Sequence, residues 1–189
     1  MRLLRTILQP FLIAIPLAIA VRSLVHIYAI PSASMQPTLT TGDHIVVVPD
    51  RRPERGEVIV FHSPESPEEL VVKRIIATPG DLIATEGGRV TIGSHLLAEP
   101  YAARPEGSGP IVPQIVPSGC YFVMGDNRTN SYDSRHWGVL RRELVVGRAV
   151  MVLWSSGDVV SETPANAAPL VSSPLRPRIR SERLFKFIR

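Results

Sequence analysis

Lysine is almost absent from this chain. Of its twenty-one basic side chains only Lys73 and Lys186 are lysines; the others are arginines. A guanidinium keeps its proton in a protein, whereas an ammonium in apolar surroundings can lose it. Cysteine is scarcer still, and the single Cys120 excludes an intramolecular disulfide while leaving the redox compartment unread. No block of basic residues is interleaved with aromatics, so a net charge of +4 does not point to nucleic acid. No Gly-x-Ser-x-Gly elbow supports a hydrolase triad. No periodic helix of useful length is read between residues 35 and 155.

What the chain does have begins with an uncharged, almost wholly apolar run from Ile7 to Val21. Fifteen helical residues reach only about 22 Å, short of a hydrocarbon core of roughly 30 Å. Extension through Arg22 to Ile30 supplies the length if Arg22 and His26 lie at the far interface. Arg2 and Arg5 then hold the N-terminus in the cytoplasm, with everything after residue 30 outside. A cleavable secretory signal is the competing reading, with Ala18-Ile19-Ala20 as its cleavage site. Both export the remainder and differ only about anchoring.

Beyond Pro31 the pattern is β. Strands are expected over His44–Val48, Glu57–His62, Leu70–Ala77, Asp81–Ala84, Arg89–Ile92, Tyr121–Met124 and Leu144–Trp154. Glu86-Gly87-Gly88-Arg89 reads as a hairpin turn. The fold class is therefore all-β, an antiparallel folded-sheet or barrel-like domain preceded by one N-terminal transmembrane helix. Pro100 to Pro117, with five prolines, is a long irregular excursion of the kind that is functional or disordered. Ser155 to Pro174 reads as a Ser-, Ala- and Pro-rich linker. The tail Arg183-Leu184-Phe185-Lys186-Phe187-Ile188-Arg189 suits a membrane interface or packing on the sheet, and packing is the expectation adopted. The division is 1–30 anchor with interfacial segment, 31–155 β catalytic domain, and 156–189 linker and packed tail.

Lys73 sits inside the apolar run Leu70-Val71-Val72-Lys73-Arg74-Ile75-Ile76. Alternation puts Val71 and Ile75 on its face, where burial would lower its pKa towards a working base. The plainer reading is a strand lysine with its head in water. A serine hydroxyl needs such a base to become a nucleophile. Each of the five histidines is read as a surface or structural residue, which leaves Lys73.

Three segments carry the chemistry: Ile30-Pro31-Ser32-Ala33-Ser34-Met35-Gln36-Pro37-Thr38-Leu39; Val71-Val72-Lys73-Arg74 with Thr78-Pro79-Gly80-Asp81; and Gly125-Asp126-Asn127-Arg128-Thr129-Asn130-Ser131-Tyr132-Asp133-Ser134-Arg135-His136-Trp137-Gly138. In this order, after one apolar N-terminal segment, they resemble the compact form of the bacterial type I signal peptidases, membrane-bound serine–lysine proteases. Ala33 departs from the glycine many members carry there. The resemblance implies Ser34 as nucleophile and Lys73 as general base, with Met35 following the nucleophile. It implies that Ser32 and the Ser34 N–H form an oxyanion hole. Ser131 would orient the lysine amine, Asp133 and Arg135 would form a supporting ion pair, and Asp126 and Asn127 would hold the same loop.

The implied reaction needs no metal and no cofactor. Its partners would be preproteins with signal peptides, cut at Ala-x-Ala-type sites, and the lipid bilayer. The location implied is the bacterial inner (cytoplasmic) membrane, single-pass, with the catalytic domain on the outer or periplasmic side. One rival is a conjugation-type peptidase that matures a single pilus or transfer protein. Another is a non-catalytic, membrane-anchored β domain that binds extended peptides.

Overall fold

A computed structural model describes residues 12, 14–16, 25–50, 52–157 and 178–188. They form two antiparallel sheets with little helix, in agreement with the β reading of the sequence. The main sheet runs β1 (His26–Ala29), β2 (Asp43–Val48), β11 (Val145–Gly157), β3 (Val58–His62), β4 (Leu70–Ala77), β9 (Cys120–Met124) and β10 (Leu140–Arg141). Two short C-terminal strands, β12 (Arg178–Ile179) and β13 (Lys186–Phe187), add to β11. The smaller sheet orders β7 (His95–Leu96), β6 (Arg89–Ile92), β5 (Leu82–Glu86) and β8 (Gln114–Ile115).

The strands form where apolar residues alternate or run continuously. In β2, Asp43, Ile45 and Val47 face inward while their neighbours are half-buried. In β3 the run from Val58 to Phe61 is buried on both faces, because Val58 and Val60 enter one apolar cluster and Ile59 and Phe61 another. Glu86 pairs with Arg89 across Gly87 and Gly88, both at positive φ, so the glycine pair makes a two-residue hairpin. Three apolar clusters result. One joins Ile30, Met35 and Leu39 to β2, β3 and β11. The second joins Ile59, Phe61 and Ile75 to Tyr121, Val123 and Leu140. The third lies under the small sheet and takes in Ile111 and Val116 from the proline-rich excursion.

Two expectations are corrected. The proposed extension of the membrane segment through Ile30 does not hold over residues 26–29, which form β1 against β2 with His26 opposite Val47 and Ala29 opposite His44. Ile27 and Tyr28 favour the extended backbone, and the β2 ladder satisfies the N–H and C=O groups that a helix would otherwise pair internally. The rest of the expected span, apart from residues 12 and 14–16, which are helical, lies outside the described residues. Among the described residues no helix is long and apolar enough to cross a membrane. Most of the expected linker lies outside the described residues as well.

In the tail, the apolar side chains expected to pack do not all do so. Phe185 and Phe187 are 61% and 70% exposed, and the attachment runs through the β13 backbone, Ile188 and Arg183.

Candidate active site

The site forms where β4, the turn after β1 and the loop after β9 converge. β4 carries Lys73 opposite Ile59 of β3, with Val71 and Ile75 on the same face by alternation. That face belongs to the Ile59–Phe61–Val123 cluster, so Lys73 is only 4% exposed. Burial is the main reason its pKa falls to about 8; Asp133 pulls it back up, and Arg135 pushes it down.

The turn over residues 31–39 brings Ser34 to this amine. Lys73 Nζ donates to Ser34 Oγ at 2.6 Å. Once neutral, the amine can accept the hydroxyl proton over the same distance. Met35 and Leu39 root the turn in the core, and Leu39 N–H donates to Met35 O at 2.9 Å. Ser32 Oγ lies 3.3 Å from Ser34 Oγ, so both serines front the same space. Tyr28, Ile30, Met35, Val60 and residues Leu70 to Lys73 line a cavity of about 160 Å³ beside them.

The loop Gly125 to Gly138 holds the turn from the other side. Asn127 N–H donates to Ser34 O at 3.0 Å, and Asn127 Nδ2 donates to Ala33 O at 3.2 Å. Gly125 must be glycine for this approach. A Cβ there would stand 2.3 Å from Ser131 Oγ and 2.4 Å from Ser34 O. Asp126 is fully buried and takes two hydrogen bonds from Arg74, Nε at 2.8 Å and Nη2 at 2.7 Å, plus one from Thr38 Oγ1. Asp133 accepts from Arg135 Nε at 2.7 Å, from Gly125 N–H at 3.0 Å and from Ser131 Oγ at 2.7 Å. Burial alone would raise the Asp133 carboxyl, but Arg135 and these donors hold it below the ordinary value.

Ser32, Ser34, Met35, Lys73, Asp126, Asn127, Asp133 and Arg135 therefore lie in one neighbourhood with Ser131, whereas Asp81 bonds to Thr78 and pairs with Arg55. The Ser131 hydroxyl proton goes to Asp133 rather than to the amine, because that carboxylate is the stronger acceptor. His136 has a structural role, as expected: its Nδ1 accepts from Asp133 N–H at 3.4 Å and closes the cap of the Ser134–Trp137 turn.

Sequence reasoning passed over the outer ring. Arg128 is 2% exposed and bidentate to Glu99 at 2.8 and 2.6 Å, and its Nη1 also donates to Ser108 Oγ at 2.8 Å. Tyr101 lies under Arg74, 4.0 Å from ring centre to guanidinium carbon, and donates to Glu99 at 3.3 Å. Ser108 O accepts from Arg135 at 3.0 Å. The proline-rich excursion thus braces the loop that carries Ser131 and Asp133. The available signal was an acid and a tyrosine among prolines, Glu99-Pro100-Tyr101, polar residues in a segment too apolar to be wholly solvated.

The family profile described as signal peptidase, peptidase S26, matches residues 3–154. A probable signal peptidase I-2 of Synechocystis is 39% identical over 153 residues, covering 75% of this chain and 69% of that protein. A signal peptidase I of Leptolyngbya laminosa is 38% identical over 154 residues, covering 75% of each. A signal peptidase I of Aquifex aeolicus is 31% identical over 232 residues, covering 89% of this chain and 90% of the relative.

Proposed function

The chain belongs to the signal peptidase family, peptidase S26, and on that premise we propose that it is a membrane-bound serine endopeptidase that removes signal peptides from exported preproteins at Ala-x-Ala-type sites. Ser34 is the nucleophile and Lys73 the general base. The observation that carries this reading is the 2.6 Å approach of a buried amine to a serine hydroxyl.

Neutral Lys73 takes the Ser34 proton as Oγ adds to the scissile carbonyl carbon. The Ser34 N–H and the Ser32 hydroxyl face the oxygen that becomes negative. The lysine then protonates the leaving amine, and the acyl group stays on Ser34. Water, deprotonated by the same amine, releases it. Ser131, Asp133, Arg135, Asp126, Asn127 and Met35 hold these groups in place rather than react.

The first residues of β4 supply a place for substrate. Leu70 to Lys73 pair with β3 on one side, while β9 begins pairing only at Arg74. An extended peptide can therefore add as a strand along Leu70 to Val72, bound through its main chain without sequence demands. The cavity of about 160 Å³ at this edge is small beside the roughly 300–1,000 Å³ of ordinary ligand pockets, which suits short side chains. The apolar run Ile7–Val21 serves as the anchor, with the N-terminus cytoplasmic and the catalytic domain on the outer face.

The test is incubation of wild type, Ser34→Ala and Lys73→Arg protein in detergent with an Ala-x-Ala preprotein, followed by mass determination. Wild type should release the signal peptide, and both variants should be inert while folded. Cleavage by Ser34→Ala would remove Ser34 from the mechanism, and normal cleavage by Lys73→Arg would place the base elsewhere.

A further inference from the structure

The turn that carries Ser34 is held at its far end by residues about 140 positions away. The C-terminal residues Arg178 to Ile188 return to β11 at two points. Gly157 and Ser156 pair with Arg178 and Ile179, and Met151 and Val152 pair with Phe187 and Lys186. Between these staples the chain turns over Ser181–Arg183 and lays Arg183 across the segment Thr38 to Asp43.

Asp43 is fully buried on the inward face of β2. Its carboxylate accepts from Thr40 N–H at 2.9 Å and from Thr40 Oγ1 at 3.2 Å, which ties the segment into a loop. Arg183 covers that carboxylate with a two-pronged ion pair, Nε to Oδ1 at 2.9 Å and Nη2 to Oδ2. The same Nη2 donates to Thr38 O at 2.9 Å, and Arg180 Nη1 donates to Thr40 Oγ1 at 3.2 Å. Thr38 in turn donates through Oγ1 to Asp126 and receives Arg74 Nη2 at 3.2 Å. Arg74 is the residue after Lys73, so the network runs from the tail to the strand that carries the base. Arg183 is thus the counterpart of Asn127: one grips the Ser34 turn near the hydroxyl, the other grips its exit.

We infer that Arg178 to Ile188 is a clasp and that Arg183 is a positioning residue, holding Ser34 in reach of Lys73 through Thr38 and Asp43. The inference rests on the reading of Ser34 as nucleophile. Arg183 does not line the cavity beside Ser34, so losing it should misplace the hydroxyl without weakening substrate binding. A bidentate guanidinium that also reaches a carbonyl has no equal in lysine, whose single ammonium cannot reproduce the fork. A misplacement of about 1 Å in such a constellation costs on the order of 100-fold in rate.

Steady-state cleavage of a signal-peptide substrate by full-length protein, below the melting temperature of each variant, separates the outcomes. Arg183→Ala should lower kcat at least tenfold with KM within twofold of wild type, and Arg183→Lys should recover part of the loss. Phe187→Ser, on the same clasp but exposed, should leave both constants unchanged. If Arg183→Ala does not fold, Arg183→Lys alone decides, with a several-fold fall in kcat expected. Wild-type kcat in either folded Arg183 variant overturns the clasp, as does a loss confined to KM. Ser34→Ala runs alongside: if it cleaves like wild type, the reading of the site fails, whatever Arg183 does.

Discussion

Gly125 and Ser34 touch through the main chain, with no room for even one carbon between them: a Cβ on Gly125 would fall 2.4 Å from Ser34 O. The contact seats the Ser34 turn against the loop that carries Ser131 and Asp133, and the Asn127 N–H then closes on Ser34 O.

Gly125→Ala should therefore separate Ser34 from Lys73. Both clashing groups are close-packed, Ser34 main chain on one side and Ser131 on the other, so neither yields cheaply. The expected result is a loss of at least 100-fold in kcat/KM, with a destabilisation of about 1–3 kcal/mol in denaturant melts. Activity near wild type would show that the two segments are not held as close as this.

The pH dependence of cleavage follows from Lys73. Burial lowers its pKa to about 8, so at pH 7 roughly a tenth of the molecules carry the neutral amine. The kcat/KM should climb about tenfold per pH unit up to pH 8 and then level off. A profile flat from pH 6 to 9 would contradict a lysine base with this pKa.

Stability should carry the same signature with a definite sign. In the unfolded chain Lys73 keeps its proton up to the ordinary 10.5, whereas in the fold it releases it near 8. Between these values the unfolded state binds more protons, so stability rises with pH across that window. Below pH 8 the buried charge costs about 3 kcal/mol. Lys73→Met should thus be more stable than wild type at pH 7, and urea titrations should show the gap closing towards pH 10.5. A gap independent of pH would mean the amine is not desolvated.

Two buried ion pairs flank the site, and breaking either should cost more than any surface change. Asp126 with Arg74 and Glu99 with Arg128 have no exposed side-chain area. Asp126→Ala or Glu99→Ala removes the carboxylate from a buried ion pair, an expected loss of about 3–5 kcal/mol. Phe187→Ser should lie within about 0.5 kcal/mol of wild type. Thermal and denaturant melts decide, and a neutral Glu99→Ala would show that the excursion does not brace the loop.

Much of this was legible in the sequence because the signals are local. Alternation and glycine punctuation place β2, β3, β4, β6, β9 and β11 within a few residues of where they lie. The pairing of Ser34 with Lys73 rests on the family resemblance rather than on any local signal, and the two side chains are in contact. β1 was not legible, because Ile27 and Tyr28 continue an apolar run and only the partner strand β2 shows that the backbone is extended. Arg74, Arg128 and Arg183 were not legible either. Each finds its carboxylate 29 to 140 positions away, and nothing near an arginine in sequence announces a distant buried acid. The necessity of Gly125 is likewise a property of two segments brought together.

Catalysis as proposed requires that the fold lower the Lys73 pKa to about 8, which leaves a working fraction of the amine neutral near neutral pH. With only two lysines in the chain, the protein labelled with 13C at lysine Cε gives two side-chain signals, and Lys73→Met assigns them. Followed by NMR from pH 6 to 11 in detergent, the Lys73 signal should titrate with a midpoint near 8. A midpoint at the ordinary 10.5 would leave Ser34 without its base and contradict the account.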